Sequence, residues 1–195
     1  MTFAFLDIET SWEKSITIIG IHRSGERPAC RQAGMTQLIA PDIHRDALLE
    51  ALQGVDRLYT YNGTVFDLPI IERWTGVNLA RLIPHRDLLY DCRKRNLKGG
   101  LKGVERTLGI HRDTEGVDGL QAMRLWAAYQ RGHREALELL LLYNKEDCVN
   151  LEILAIKFGL LPRNAGEGAD EGTALPSPRA SLALSRLSAG EGSLK

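Results

Sequence analysis

The first run of alternating apolar and polar positions begins almost at residue 1 and predicts a β-strand. Residues 3–10 read FAFLDIET. Because alternate side chains of a strand share a face, one face carries two rings followed by two acids, namely Phe3, Phe5, Asp7 and Glu9. Ionised carboxylates are costly to bury side by side unless protons or cations compensate. Two readings stay open: the acids continue a buried face, or the strand stops at Leu6 and DIET forms a solvated turn.

The remaining elements follow from the same periodicities. ITIIGIHR at 16–23 and RLYTYNG at 57–63 are typical of strands, and a third strand is expected within 28–38. HRDALLEALQG at 44–54 and FDLPIIERWTG at 66–76 indicate helices. From about Ile83 the pattern is mainly helical, with glycine-containing breaks and a long last helix from about Arg134 to Phe158. Strands followed by helices predict an α/β fold, a mixed β-sheet flanked by helices.

Length and composition indicate one domain with an appended segment. The chain has 195 residues, which suits a single hydrophobic core. We expect the domain to cover residues 1–160. Residues 161–195 are rich in Gly, Ala, Ser and Pro, a composition typical of a disordered tail.

Cysteine content and hydropathy bear on the compartment. Cys30, Cys92 and Cys148 are odd in number and lack paired zinc-ligand spacing, which favours reduced thiols in a cytoplasmic protein. No window approaches the roughly 20 apolar residues that a membrane span requires. We therefore expect no membrane partner.

Charge is balanced over the whole chain but not along it. Lys plus Arg and Asp plus Glu are both 25. Between Arg81 and Arg112, nine basic residues are set against three acids, which gives a local charge of +6. The stretch from Arg93 to Lys102 could hold phosphates by nonspecific electrostatics, or it could be an ordinary solvated face.

Two further acids lie at positions that need an explanation. Asp67 opens the helix at 66–76, where an acid favours the helix dipole and could cap the helix. Asp147 lies on the apolar stripe of the last helix, although a solvated position is the alternative. The other members of that stripe are Ala136, Leu139, Leu140, Tyr143, Leu151 and Leu154. Tyr143 lies one turn before Asp147, so the phenol and the carboxylate are neighbours.

Together these positions supply four acids, namely Asp7, Glu9, Asp67 and Asp147. If they cluster, their repulsion would destabilise the fold unless a cation lay among them. Ligand sets made only of oxygen suit Mg²⁺ or Mn²⁺. Two such ions about 4 Å apart would activate a water and stabilise the leaving oxygen of a phosphodiester. The acids are therefore predicted to be metal ligands.

Three short motifs carry a resemblance to a known family. DIET, then N-x-x-x-F-D in NGTVFD, then Y-x-x-x-D in YNKED occur in this order. The series resembles the motifs of the DEDD 3′-to-5′ exonucleases of the ribonuclease H-like (DnaQ-like) superfamily, and the tyrosine resembles their tyrosine subclass. HRDLLYDCRK and GLKGVERTLGI resemble segments of small bacterial predicted exonucleases with this fold. The resemblance covers about residues 3–158 and implies a ribonuclease H-like fold.

The resemblance also implies catalytic roles. Two Mg²⁺ or Mn²⁺ ions would be bound by Asp7, Glu9, Asp67 and Asp147. Tyr143 would orient the attacking water, because a phenol with a reference pKa of about 10 is a poor base at neutral pH.

Some matches concern substrate or structure. Thr10 and Asn62 match positions that contact the terminal nucleotide, although Asn62 could equally be a turn residue. Asp87 matches a recurrent acid, for which a helix cap or a supporting hydrogen bond is favoured over a metal role. His133 lies fourteen residues before Asp147, too far to match the histidine subclass, and is expected at a helix end. The core is expected to take Tyr59, Tyr61, Phe66, Trp74 and Trp126.

The sequence thus predicts a metal-dependent 3′-to-5′ exonuclease that acts on DNA or RNA 3′ ends and releases nucleoside 5′-monophosphates. Asp7→Ala or Asp147→Ala should abolish cleavage with little loss of folding. The alternatives are a catalytically weak or inactive nucleic-acid-binding module and an endonuclease of the same superfamily. Four mutually repelling carboxylates argue against a pure binder, and a blocked 3′ end separates the two nucleases.

Overall fold

The computed structural model describes residues 1–25 and 34–161. The five strands in these ranges are β1 (Thr2–Thr10), β2 (Ile16–Gly25), β3 (Gly34–Ile39), β4 (Arg57–Thr60) and β5 (His85–Asp87). The seven helices in these ranges are α1 (Arg45–Ala51), α2 (Asp67–Thr75), α3 (Leu79–Leu82), α4 (Leu88–Lys94), α5 (Gly100–Leu108), α6 (Gly119–Gln130) and α7 (Arg134–Lys157).

The strands form one mixed sheet with the order β3-β2-β1-β4-β5. At its centre, β1 pairs antiparallel with β2 and parallel with β4. Two parallel neighbours end at the same sheet edge, so the carboxyl ends of β1 and β4 lie side by side. This architecture confirms the predicted α/β fold with a mixed sheet and flanking helices.

The two faces of β1 pack against different helices. Ala4, Leu6 and Ile8 join a core cluster with residues of α1, α2 and α3. Phe5 lies in a second cluster with residues of α4, α5 and α7. The strand continues to Thr10, so the alternative of a strand that stops at Leu6 is wrong. On this second face, Phe3 and Phe5 are followed along the strand by Asp7 and Glu9.

The sequence pattern did not predict β5, and it predicted a β4 that is three residues too long. Residues 85–87 read HRD and have no strand propensity of their own; they are extended because they pair with β4 in parallel, Leu58 opposite His85. The strand predicted at 57–63 ends at Thr60 because Asn62 adopts a positive φ of 64°. Residues 61–63 therefore form the turn that leads to α2.

Parts of some predictions fall outside the described residues. These parts are residues 28–33 of the expected third strand, Cys30, and residues 162–195 of the expected tail. Within the described ranges, Cys92 and Cys148 are free, buried thiols, and burial raises the pKa of Cys92 to about 11. No helix in these ranges has the length and apolar character needed to cross a membrane.

Candidate metal centre

Three of the predicted acids converge where the end of β1 meets the middle of α7. Each of Asp7, Glu9 and Asp147 offers a carboxylate oxygen, and these oxygens lie within 4.8 Å of one another. Asp7 and Glu9 project from the odd-numbered face of β1, and the apolar stripe predicted for α7 is buried together with Asp147. The local periodicities of one strand and one helix thus bring distant parts of the chain together.

A glycine in β2 lets α7 approach the sheet at this point. Gly20 pairs with Asp7 across the β1–β2 ladder, and a Cβ at residue 20 would lie 2.2 Å from Asn144 Oδ1. Asn144 uses this space to donate from Nδ2 to Asp7 Oδ2 at 3.2 Å. Gln37 in turn donates to Asn144 Oδ1 at 3.0 Å. Gly20 was not predicted to have a role, although a glycine inside a β-branched run is itself a signal of close approach.

The carboxylates of β1 are unfavourable as bare anions. Burial, followed by repulsion from Asp147, raises the pKa of both Asp7 and Glu9 well above the usual carboxyl range. Glu9 is 6% exposed, and its buried Oε1 has no hydrogen-bond partner among the described residues. A buried, unsatisfied oxygen beside two further carboxylates fits the oxygen-rich ligand set that Mg²⁺ and Mn²⁺ prefer.

Asp147, in contrast, is held by two cations. Arg112 Nη1 donates to Asp147 Oδ1 at 2.6 Å, and Lys102 Nζ lies 3.5 Å from Asp147 Oδ2. The same Arg112 atom donates to both carboxylate oxygens of Glu105, at 2.8 and 2.9 Å. No site role was predicted for Arg112 or Glu105, because neither belongs to the three acidic motifs and Arg112 lies in the irregular segment between α5 and α6.

Tyr143 lies against the same group. It is 3% exposed, and its hydroxyl accepts a hydrogen bond from Lys102 Nζ. Burial, together with the negative charge of Asp147, raises the pKa of the Tyr143 phenol above its usual value of 10. A phenol that resists ionisation is a poor general base, and the orienting role of Tyr143 stays a prediction.

Asp67 occupies a different position from the other three acids. It is the first residue of α2 and is 4% exposed, and its Oδ1 accepts the Ile8 backbone N–H at 3.1 Å. The side chain therefore ties α2 to β1 instead of capping its own helix. Burial raises the pKa of Asp67 to about 7, with further contributions from Asp87 and Asp147. Asp67 is thus electrostatically part of the site, and its metal role stays a prediction.

Asp87 has a structural role, as expected. Its carboxylate caps α4 by accepting from the Leu89 N–H at 3.1 Å. It also accepts from the backbone N–H groups of Asn62 at 2.8 Å and Thr64 at 3.0 Å. Asp87 therefore fixes the turn that precedes Asp67, and Asn62 is the turn residue that the sequence allowed.

An open cleft of about 270 Å³ gives access to the carboxylates. Its lining includes five predicted site residues, namely Asp7, Glu9, Thr10, Tyr143 and Asp147. Asn62 and Asp67 do not line it, so no substrate contact of Asn62 follows from this geometry. Unpredicted lining residues are Ile8, Tyr61, Phe66, Leu101, Lys102, Gly119 and Met123.

Two expected core aromatics are in fact exposed. Phe66 is 44% exposed in the cleft wall, and Trp74 is 48% exposed. Both lie at the solvent side of α2 or its N-cap, whereas Tyr59 and Trp126 are buried as expected. His133 is the N-cap residue of α7, so its expected place at a helix end is confirmed.

The basic stretch divides into paired and free side chains. Arg86 and Arg95 contact Asp91, and Lys102 belongs to the carboxylate site. Arg93, Lys94 and Lys98 are exposed, and none forms an ion pair within the described ranges. A phosphate-binding role is compatible with these three side chains and stays a prediction.

Comparison with known proteins identifies the superfamily to which this fold belongs. A family model described as the RNase H superfamily matches residues 4–158. Among solved structures, the family B DNA polymerase from the hyperthermophilic archaeon Pyrobaculum calidifontis matches with a TM-score of 0.58 and 14% identity over 80% of this chain. The match spans 24% of that polymerase, and at this identity it shows the fold alone. A comparison with curated protein sequences gives no match.

Proposed function

We propose that this chain, which belongs to the RNase H superfamily, is a metal-dependent nuclease that removes nucleotides from the 3′ ends of DNA or RNA. The observation that carries the proposal is the group of three carboxylates within 4.8 Å of one another at the bottom of an open cleft. Such a group has no evident structural use, because each buried anion raises the cost of ionising the next.

The ligand set that we propose contains Asp7, Glu9 and Asp147, with Asp67 at the edge of the site. Two bound Mg²⁺ or Mn²⁺ ions would supply an acidified water and charge compensation at the scissile phosphate. The unsatisfied oxygen of Glu9 and the raised pKa values of Asp7 and Glu9 support this assignment. Binding of a cation would release the protons that these carboxyls hold.

The other residues of the cleft would position the reactants. Tyr143, whose hydroxyl is fixed by Lys102, would orient the attacking water. Thr10 lines the cleft and would contact the terminal nucleotide, and we retain Asn62 as a second contact. A free 3′ end would reach the carboxylates through the opening beside Thr10 and Phe66. The exposed Phe66 ring provides a surface on which a base could stack.

The proposal is tested with 5′-labelled single-stranded DNA and RNA oligonucleotides that carry either a free or a blocked 3′ end. We expect Mn²⁺-dependent products that shorten one nucleotide at a time from the free 3′ end, and none in EDTA. Asp7→Asn should be inactive, whereas Glu138→Gln, which changes an exposed acid on α7, should be active. Internal cleavage of the blocked substrate would indicate an endonuclease, and binding without cleavage would indicate a binding module.

A further inference from the structure

We propose that Arg112 is a positioning residue that orients Asp147 for metal binding, and that Glu105 keeps the charge of Arg112 from neutralising Asp147. The inference rests on the proposed function, because it takes Asp147 as a metal ligand. It starts from a buried chain of polar contacts that runs from Asn150 through Glu105 and Arg112 to Asp147.

The chain of contacts is buried along its whole length. Glu105 is 1% exposed and Asn150 is 4% exposed, and only 8% of the Arg112 side chain reaches solvent. Asn150 Nδ2 donates to Glu105 Oε1 at 3.0 Å. Arg112 Nη2 also lies 3.5 Å from the Tyr143 carbonyl oxygen, which accepts its hydrogen bond. Arg112 is therefore fixed from several sides before it reaches Asp147.

The charges in this chain leave Asp147 able to bind a cation. A lone arginine would form a neutral pair with Asp147 and would reduce its attraction for a metal ion. Here Arg112 contacts Glu105 at 2.8 Å as well as Asp147 at 2.6 Å, and Glu146 Oε2 lies 3.7 Å from its Nε. Three carboxylates thus share one guanidinium, and the group stays negative.

The two carboxylate oxygens of Asp147 have different partners. Oδ1 accepts the 2.6 Å hydrogen bond from Arg112. Oδ2 has the longer 3.5 Å contact with Lys102, whose side chain is 28% exposed and lines the cleft. One oxygen is therefore held by the buried Arg112, while the other contacts a residue of the cleft lining. Partners that fix the orientation of a ligating side chain in this way are common around metal sites.

The alternative is that Arg112 competes with the metal for Asp147. The two roles predict opposite effects of Arg112→Gln on metal affinity. Loss of a positioning residue should weaken Mn²⁺ binding by about 10- to 100-fold, whereas loss of a competing cation should strengthen it. Arg106→Gln is the matched control, because Arg106 is exposed on α5 and lies near the same site without contacting Asp147.

The experiment is isothermal titration calorimetry of Mn²⁺ into the metal-free full chain at neutral pH. We expect weakened binding for Arg112→Gln and a change within about twofold for Arg106→Gln. Arg112→Lys should also bind weakly, because an ammonium keeps the charge but cannot reproduce the contacts of the planar guanidinium, whose Nη1 donates to Glu105 and Asp147 and whose Nη2 donates to the Tyr143 carbonyl oxygen. Wild-type affinity, or tighter binding, in Arg112→Gln or Arg112→Lys would overturn the inference.

Arg112→Gln leaves Glu105 buried without its partner, so this variant could unfold. The double variant Glu105→Gln, Arg112→Gln removes the opposite charges together and carries the same prediction. In nuclease assays, the folded variants should lose kcat at saturating Mn²⁺ while KM for the oligonucleotide is unchanged, because Arg112 does not line the cleft. If the wild type binds no Mn²⁺, the proposed function and the Arg112 role both fail. If the wild type binds Mn²⁺ and the variants bind it equally well, only the Arg112 role fails.

Discussion

The carboxylates on β1 and the carboxylate on α7 meet at one site but have different partners. No Lys, Arg or His of the described ranges lies within ion-pair distance of Asp7 or Glu9, and a buried oxygen of Glu9 has no hydrogen bond there. Asp147 forms an ion pair with Arg112 and another with Lys102. The difference indicates that the protein holds the α7 carboxylate in place with its own cations, whereas we propose that a bound cation compensates the carboxylates of β1.

The largest expected effect of breaking this arrangement is on catalysis. Asp7→Asn keeps the shape of the side chain and removes a carboxylate that forms no ion pair within the described ranges. Loss of metal-assisted stabilisation worth about 4 kcal/mol corresponds to a roughly 10³-fold decrease in the cleavage rate. Single-turnover cleavage of a labelled oligonucleotide in Mn²⁺ measures the rate. Activity of Asp7→Asn within tenfold of wild type, roughly 1.4 kcal/mol, would exclude Asp7 from the metal site.

Without metal, loss of the α7 carboxylate and loss of a β1 carboxylate should change the unfolding free energy by different amounts. Asp147→Ala removes the partner of a buried guanidinium, a loss of charged hydrogen bonds worth about 1.5–3 kcal/mol of unfolding free energy. Asp7→Ala removes a carboxyl that forms no ion pair within the described ranges and accepts one hydrogen bond from Asn144, at 3.2 Å, so it should cost less. The structure therefore separates two variants that sequence reasoning treated as equivalent. Urea unfolding in EDTA measures both, and equal destabilisation would contradict the comparison.

Substitution of Gly20 tests whether this glycine allows α7 to pack closely against the sheet beside β1. A methyl group at this position would overlap Asn144 and Cys148, since its carbon would lie only 2.2 and 2.7 Å from their nearest atoms. Gly20→Ala should therefore lower the unfolding free energy by about 1–3 kcal/mol and weaken Mn²⁺ binding through Asn144. Gly119→Ala is a suitable control, since a Cβ there meets no atom within 4 Å. A stable Gly20→Ala protein with normal Mn²⁺ affinity would refute this packing role.

The pH dependence of folding stability extends the comparison to Asp67. The pKa of Asp67 is raised from 3.8 to about 7 by burial, so between these values the native protein holds a proton that the unfolded chain has lost. The Asp67 contribution to stability is present below pH 4 and is lost as the pH rises through about 7. The slope for one proton is at most about 1.4 kcal/mol per pH unit. Urea unfolding in EDTA from pH 5 to pH 8 should show a shallower decline for Asp67→Asn, and parallel curves would argue against this shift.

The parts of the site that the sequence predicts are those that local periodicity controls. Alternation along β1 places Asp7 and Glu9 on one face, and the 3.6-residue repeat of α7 places Asp147 on a buried stripe. Arg112 could not be found in this way, because it lies in an irregular segment and its role depends on contacts with α5 and α7. Glu105 is one of several charged residues in α5, and only its 1% exposure distinguishes it.

The same distinction applies to the fold. The order of strands and helices predicted a mixed sheet with flanking helices, and the long last helix is observed close to its expected bounds. The short β5 was missed because its three residues are extended only through pairing with β4. Phe66 was placed in the core on hydrophobicity alone, whereas the turn fixed by Asp87 puts it in the cleft wall.

The central claim is that Asp7 and Glu9, which form no ion pair within the described ranges, bind a divalent cation. Thermal melting tests this claim most directly. A cation that binds only the folded protein raises the melting temperature by mass action. We predict that Mn²⁺ and Mg²⁺ raise the melting temperature of the wild type relative to EDTA, and that Asp7→Asn loses most of this rise while Glu138→Gln keeps it. No rise in the wild type at concentrations up to about 10 mM, far above the requirement of a typical protein site, would contradict the claim.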